Sequence, residues 1–189
     1  MTLLYLGIAL WILVHLFKRV TPGARRALAD ALPKGADRGV ISLLLLLSLV
    51  LIVVGYRRAE FVPLYDPFPG AGYVNNLLMY VTIVLFGMGS SKGSMRAWLR
   101  HPMLMGVVVW GMSHILVNGD LASVILFVSM IVWAIVQMVA INVTDPSWER
   151  PEPGPVKRNF VLLGIAAVLY GVIAGVHTAL GRNPFLGSY

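Results

Sequence analysis

Residues 103–140 have the sequence MLMGVVVWGMSHILVNGDLASVILFVSMIVWAIVQMVA, which is apolar over nearly its whole length. The main interruption is Asn118-Gly119-Asp120, three residues of the types that form turns. About 20 apolar residues suffice for a helix to cross the hydrocarbon core of a bilayer. This stretch is about twice that length, so it predicts two membrane-spanning helices joined by a tight hairpin.

Further apolar blocks lie on both sides of this hairpin. Hydrophobic residues make up 58% of the chain and charged residues 12%, against about 45–50% and about 25% in ordinary globular proteins. We therefore expect an all-α, polytopic membrane protein, a bundle of about six transmembrane helices, with 1–189 as one domain in the lipid bilayer. The predicted helices cover about 2–18, 40–56, 73–90, 102–118, 120–141 and 159–180.

The first apolar block resembles a signal peptide in length but not in the order of its charges. A signal peptide carries positive charge before its apolar stretch, whereas Lys18 and Arg19 follow this block. We expect it to be retained as the first helix.

The basic residues predict the orientation of the helices. The segments 18–39, 91–102 and 141–159 contain twelve Lys and Arg residues, and the other loops and the tail contain three. Because cytoplasmic loops are enriched in Lys and Arg, we expect these three segments in the cytoplasm and both termini outside. The net charge of +7 is thus explained by membrane topology, and we expect no nucleic-acid partner.

The lack of cysteine and the positions of the acidic residues exclude or disfavour some classes of function. The chain has no cysteine, which excludes disulfides and thiolate chemistry. All eight acidic residues fall in loops or at predicted helix ends. Since ion-coupled transporters usually keep carboxylates inside the bundle, a small-molecule transporter is a disfavoured alternative. A structural or assembly factor remains a further one.

The histidines are the main candidates for chemistry. His15 lies in the first predicted helix, His114 deep in the fourth, and His177 near the end of the sixth. Ionisable residues in a membrane are functional candidates because their burial is costly, and neutral imidazole is a common ligand of haem iron.

Two of these histidines follow a tryptophan by four residues, in Trp11-x-x-x-His15 and Trp110-x-x-x-His114. Residues four apart share a helix face, so each indole is expected beside an imidazole. There it would form one wall of a pocket for a flat macrocycle. Gly111 is expected to leave room for that ring. The alternative is that each histidine bonds a neighbouring helix and each tryptophan packs.

The second ligand stays open between two residues. His15 and His114 are expected to differ in depth by about 10 Å within a core of about 30 Å. His177 lies closer to His114 in depth, and is therefore the substitute ligand. Lys18 and Arg19 follow His15 by one turn, where they could meet propionates.

Three shorter segments have both structural and functional interpretations. Arg100 and His101 precede Pro102, which suits the first helical turn, and they either anchor the helix at the headgroups or bind an anion. Asn118 and Asp120 are interpreted as turn chemistry with an N-cap on the fifth predicted helix, or as part of a site. The aromatic- and proline-rich loop 57–72 suits an interfacial lid or an ordinary aromatic belt.

Several of these segments together resemble the NnrU family of membrane proteins. The resemblance is carried by Arg100-His101-Pro102-Met103, Trp110, His114 and Asn118-Gly119-Asp120-Leu121-Ala122-Ser123, with Leu13-Val14-His15 near the start. The family is associated with bacterial denitrification. It is similar to the zeta-carotene isomerase of plants and cyanobacteria, which uses haem b to isomerise a cis double bond.

The resemblance implies a cofactor and its ligands. The two histidines implicated in the isomerase resemble His15 and His114, which are thus expected to ligate haem b, with Trp11, Trp110, Arg19 and Gly111 around it. The isomerase has a cysteine three residues before its second histidine, and Gly111 stands there in this chain. This departure disfavours ligand exchange, and with it isomerisation.

The leading expectation is therefore a haem-b protein of the bacterial inner membrane with an accessory or redox role in nitrite and nitric oxide metabolism. Its partners would be denitrification proteins. The alternative is a haem-dependent cis-trans isomerase acting on a hydrophobic polyene such as zeta-carotene.

Overall fold

The computed structural model describes residues 1–185, and these are helical apart from turns and connecting segments. The all-α fold class expected from the sequence is confirmed. A short 3-10 turn spans Ser94–Ala97. The α-helices are α1 (Thr2–Val20), α2 (Pro22–Ala31), α3 (Ala36–Arg57), α4 (Ala71–Met88), α5 (Pro102–Ile115), α6 (Leu121–Thr144) and α7 (Lys157–Ala179).

Five of the described helices, α1, α3, α4, α6 and α7, are long and apolar enough to cross a membrane. They expose many large apolar side chains, such as Leu13 at 68%, Leu43 at 66% and Val168 at 68%. Exposure of apolar surface on this scale is unfavourable in water and normal against lipid tails. The chain is a multi-pass helical membrane protein.

Helix α5 is shorter than the sequence predicts. It has 14 residues, which corresponds to a length of about 21 Å, and it ends at Ile115 instead of 118. The backbone N–H groups of Val117 and Asn118 both donate to the His114 carbonyl, at 3.2 and 2.9 Å, as the chain begins to turn. The expectation that His114 lies deep inside a helix is therefore wrong, because the turn begins early and leaves His114 in the last turn of α5.

The chain divides into two compact units. The first comprises Met1–Val62 and Val136–Pro146, and the second comprises Pro63–Ile135 and the described residues from Ser147 to 185. Each contains one of the two tryptophan–histidine pairs, so the two pairs are described separately below.

Two glycines bring α1 and α3 into close contact in the first unit. An added Cβ at Gly7 would lie 2.7 Å from the Ile52 amide nitrogen, and one at Gly55 would collide with the backbone of Leu4. The later residue of α1, Gly7, meets the earlier residue of α3, Ile52, whereas Leu4 meets Gly55. The two helices are therefore antiparallel. Small residues that let helix backbones approach closely are a common basis of packing in membranes.

Helix α2 lies within the basic segment 18–39, which the sequence analysis treats as a loop. Pro22 occupies its first turn, where proline is well tolerated. The Arg25 guanidinium forms an ion pair with the Asp37 carboxylate in the first turn of α3, at 2.5 Å. This ion pair ties α2 to the start of the membrane-spanning helix α3.

We expect Arg25→Met to loosen α2, because the substitution leaves the buried Asp37 carboxylate without its cationic partner. Hydrogen exchange of the α2 amides in detergent should accelerate, and the melting temperature should fall. Arg26→Met is the matched control, since Arg26 is the exposed neighbour of Arg25 on the same helix. Equal effects of the two substitutions would contradict a structural role for the ion pair.

In the second unit, α4 packs against both α5 and α7. Gly106 of α5 lies against the Phe86 ring, and Gly87 of α4 lies against Leu162 of α7. The Tyr80 hydroxyl donates to the Leu163 carbonyl at 3.1 Å. The buried residues of this core are Ile83, Val84, Leu85, Met88, Leu162 and Ala166.

Asn159 fixes the 3-10 turn before α5 to the start of α7. Its side-chain oxygen accepts a hydrogen bond from the Met95 amide at 3.2 Å, and its amide nitrogen donates to the Ser94 hydroxyl at 2.8 Å. Asn159 is buried, so both polar ends of the side chain are satisfied by this one turn. The 3-10 turn that precedes α5 is thereby held against the start of α7.

Candidate functional site

The first tryptophan–histidine pair lies on α1 in the first unit. The ring centroids of Trp11 and His15 are 4.3 Å apart, with the ring planes tilted by 39°. The His15 Nδ1 atom lies 2.9 Å from the Trp11 carbonyl oxygen, one turn earlier. The indole therefore lies beside the imidazole at this position, as the spacing of four residues predicts.

The second pair lies near the end of α5 in the second unit. The centroids of Trp110 and His114 are 5.2 Å apart, and His114 Nδ1 lies 2.9 Å from the Trp110 carbonyl oxygen. Phe127 of α6 completes a cluster of three rings, with its centroid 4.8 Å from His114 and 4.9 Å from Trp110. Phe127 has no distinguishing signal in the sequence, because its contact with His114 depends on how α6 packs on α5.

These hydrogen bonds determine which imidazole nitrogen carries the proton. A carbonyl oxygen can only accept, so Nδ1 of His15 and of His114 must be the donor. Nε2 then carries the lone pair of the neutral ring. Histidine ligands of metals commonly donate their second nitrogen to a backbone carbonyl in this way. The donor set thus fits a haem-iron ligand at each position.

His177 shares this tautomer but not its surroundings. Its Nδ1 atom lies 2.8 Å from the Ile173 carbonyl, so isoleucine stands where the other two histidines have tryptophan. His177 belongs to the same unit as His114. That His177 is the substitute ligand stays a prediction.

The expectation that Gly111 leaves room for a macrocycle is wrong. An added Cβ at Gly111 would lie 2.7 Å from Ile131 Cγ1 and 3.1 Å from the Phe127 carbonyl oxygen, both on α6. Glycine is required here for the close approach of α5 to α6, and the side chain of Ile131 fills the space beside it. A ring bound at His114 would have to lie on another side of the imidazole.

The basic candidates have partners near the helix ends. Arg19 donates to the Thr144 hydroxyl at the end of α6, at 3.0 Å. Arg100 lies over the Trp148 ring, 5.9 Å from its centroid, which is the range of a cation–π interaction. His101 is the N-cap residue of α5. These contacts are those of residues that anchor helix ends.

Asn118 and Asp120 organise the turn between α5 and α6. The Asn118 side-chain amide donates to the His114 carbonyl at 2.8 Å. Asp120 accepts hydrogen bonds from the Ser123 amide and hydroxyl, at 3.0 and 2.5 Å, which is the N-cap arrangement. Both residues thus have the turn and N-cap roles of the structural interpretation, and Asn118 bonds the backbone of His114 directly.

Within the described residues, no group of three or more His, Cys, Asp or Glu side chains is arranged to hold a metal ion. The leading candidate ligands are instead two single histidines, His15 and His114, each beside a tryptophan ring. Tyr65 also contacts the turn that follows α5, where its hydroxyl donates to the Asn118 carbonyl. The sequence indicates only that Tyr65 belongs to an aromatic-rich loop, and predicts no role for it.

Comparison with known protein families gives a match that covers nearly the whole chain. The family model described as NnrU protein matches residues 3–184. The chain matches no curated protein and no solved structure.

Proposed function

Because the chain belongs to the NnrU family, we propose that it is a bacterial inner-membrane protein that binds haem b through His114 and His15. We propose further that it serves nitrite and nitric oxide metabolism in an accessory redox role. The observation that supports the proposal best is the shared state of these two histidines. Each has Nδ1 bonded to a backbone carbonyl and a tryptophan beside the ring.

The protein's own contribution to such a site is orientation and exclusion of water. The hydrogen bond from Nδ1 to the carbonyl fixes the tautomer and restricts rotation of each imidazole. Trp110 and the buried Phe127 flank His114 with apolar rings. Bound haem would supply one-electron chemistry, and a surrounding of low polarity is one of the means by which a protein adjusts its reduction potential.

The charged residue expected near the cofactor is Arg19. Its guanidinium uses one nitrogen to bond Thr144, and the group has five N–H donors in all. Further donors are therefore available for an anionic group such as a propionate. This supports the assignment of Arg19 to the cofactor's carboxylate end.

The role in denitrification is tested in cells that lack the chain. We expect wild-type protein to restore nitrite and nitric oxide consumption, and His114→Ala to fail although it is made and inserted at equal level. His101→Ala is the matched control, because it removes an imidazole at the other end of α5. Full restoration by His114→Ala would contradict the proposal.

The isomerase alternative rests on the resemblance and is opposed by the packing at Gly111. A side chain there would have to displace Ile131 and press on the Phe127 backbone of α6, so an exchangeable ligand at this position lacks room. We expect cis zeta-carotene to stay unchanged in cells that co-express the haem-loaded protein with a pathway that makes this polyene. Conversion that depends on His114 would favour the isomerase instead.

A further inference from the structure

A short extended segment from the loop before α4 lies against the turn that follows His114. The backbone N–H groups of Leu64 and Tyr65 both donate to the Gly119 carbonyl, at 2.7 and 3.2 Å. Pro63 forms an isolated antiparallel bridge with Asp120. We call the segment Pro63–Tyr65 the strap. It joins two parts of the chain that are far apart in sequence.

The Tyr65 side chain extends this contact to the end of α5. Its hydroxyl donates to the Ile115 carbonyl and, at 3.1 Å, to the Asn118 carbonyl. The last carbonyls of a helix have no partner within the helix, so Tyr65 supplies one from outside. Partial burial, and secondly the negative charge of Asp120, raise the pKa of the Tyr65 phenol. The phenol therefore remains a donor at any physiological pH.

The same turn is also hydrogen-bonded to His114, the candidate ligand. The Asn118 carbonyl accepts from Tyr65, while the Asn118 side-chain amide donates to the His114 carbonyl at 2.8 Å. The strap is therefore two hydrogen bonds away from the backbone of His114.

Gly119 makes the strap possible. An added Cβ at this position would collide with the Tyr65 carbonyl, so a larger residue would push the strap away. Each residue of Asn118-Gly119-Asp120 thus has a distinct task. Asn118 caps the end of α5, Gly119 admits the strap, and Asp120 caps the start of α6.

We infer that the strap is a positioning element for His114, and that Tyr65 is its principal positioning residue. The strap holds the turn that ends α5, and thereby the backbone from which the His114 ring projects. The inference rests on the proposed haem ligation by His114. Removing a residue that holds a metal ligand in place by hydrogen bonding typically lowers metal affinity by about 10–100-fold.

The test compares Tyr65→Phe with Tyr73→Phe, both in full-length protein purified with haem b. Tyr73 is 83% exposed and belongs to the same unit, so it controls for loss of a phenol. We expect Tyr65→Phe to lower haem affinity about tenfold. We also expect it to shift the electron paramagnetic resonance g values of the ferric haem, which report ligand orientation. Tyr73→Phe should change neither.

A second variant reaches the same contact from the opposite side. Gly119→Ala should weaken haem binding in the same direction, and the double variant should lose less than the two single losses together, because both act on one contact. If Gly119→Ala fails to fold, Tyr65→Phe still decides. Haem binding by the wild type with unchanged affinity and g values in Tyr65→Phe would overturn this inference alone. A wild type that binds no haem would overturn the proposed function and this inference with it.

Discussion

We expect that replacing His114 with alanine removes the Soret band that the proposed haem binding would give the wild-type protein after purification with haem b. The substitution deletes the imidazole whose Nδ1 atom is committed to the Trp110 carbonyl and whose Nε2 atom carries the lone pair. The loss of haem affinity should exceed about 10–100-fold, the effect of removing a residue that only hydrogen-bonds a ligand, because this substitution removes the ligand itself. The measurement is an absorbance titration with haem b in detergent.

Three further alanine variants identify the second ligand. His15→Ala should retain weaker haem binding with an altered spectrum, as expected when one of two axial ligands is lost. His177→Ala and His101→Ala should resemble the wild type. If His177→Ala changes the spectrum while His15→Ala does not, the ligand pair is His114 with His177. An unchanged Soret band in His114→Ala would contradict haem ligation by this residue.

Replacing Gly55 with valine should disrupt the packing of α1 on α3. An added Cβ already collides with the Leu4 backbone, and backbone atoms cannot move aside as the end of a flexible side chain can. Overpacking typically costs about 1–3 kcal/mol and occasionally more, and a collision with backbone belongs at the upper end of that range. We expect a large fall in the melting temperature in detergent and less monodisperse protein.

Gly164→Val is the matched control for this prediction. Gly164 also lies in a candidate membrane-spanning helix, α7, but an added Cβ there has nothing within 4 Å. The control should be close to wild type in stability. Similar melting temperatures for Gly55→Val and Gly164→Val would show that the close approach of α1 and α3 contributes little.

The helices themselves could be predicted from the sequence because apolar block length is a strong signal in a membrane protein. The hairpin at Asn118-Gly119-Asp120 is present, and the expected blocks correspond to α1, α3, α4, α5, α6 and α7. The helix ends were less predictable. Helix α5 ends at Ile115 because hydrogen bonds from the turn compete with the apolar pattern, which continues to Val117.

The features that sequence reasoning missed depend on contacts between distant segments. Tyr65 lies 50 residues before its partner Ile115, and local sequence carries no signal for such a pairing. Gly111 was expected to make room for a ligand, but glycine equally permits two helices to approach, and α6 fills that space. Helix α2 was missed because its few apolar residues are alanines and one leucine among charges.

The most direct test of haem binding is the haem b content of the protein purified gently from its own membrane. The pyridine haemochrome assay gives the amount of haem b per chain without reconstitution. Ligation by one pair of histidines predicts one haem b per chain in the wild type and close to none in His114→Ala. A wild type without haem b, in membranes that contain haem in other proteins, would contradict the proposal.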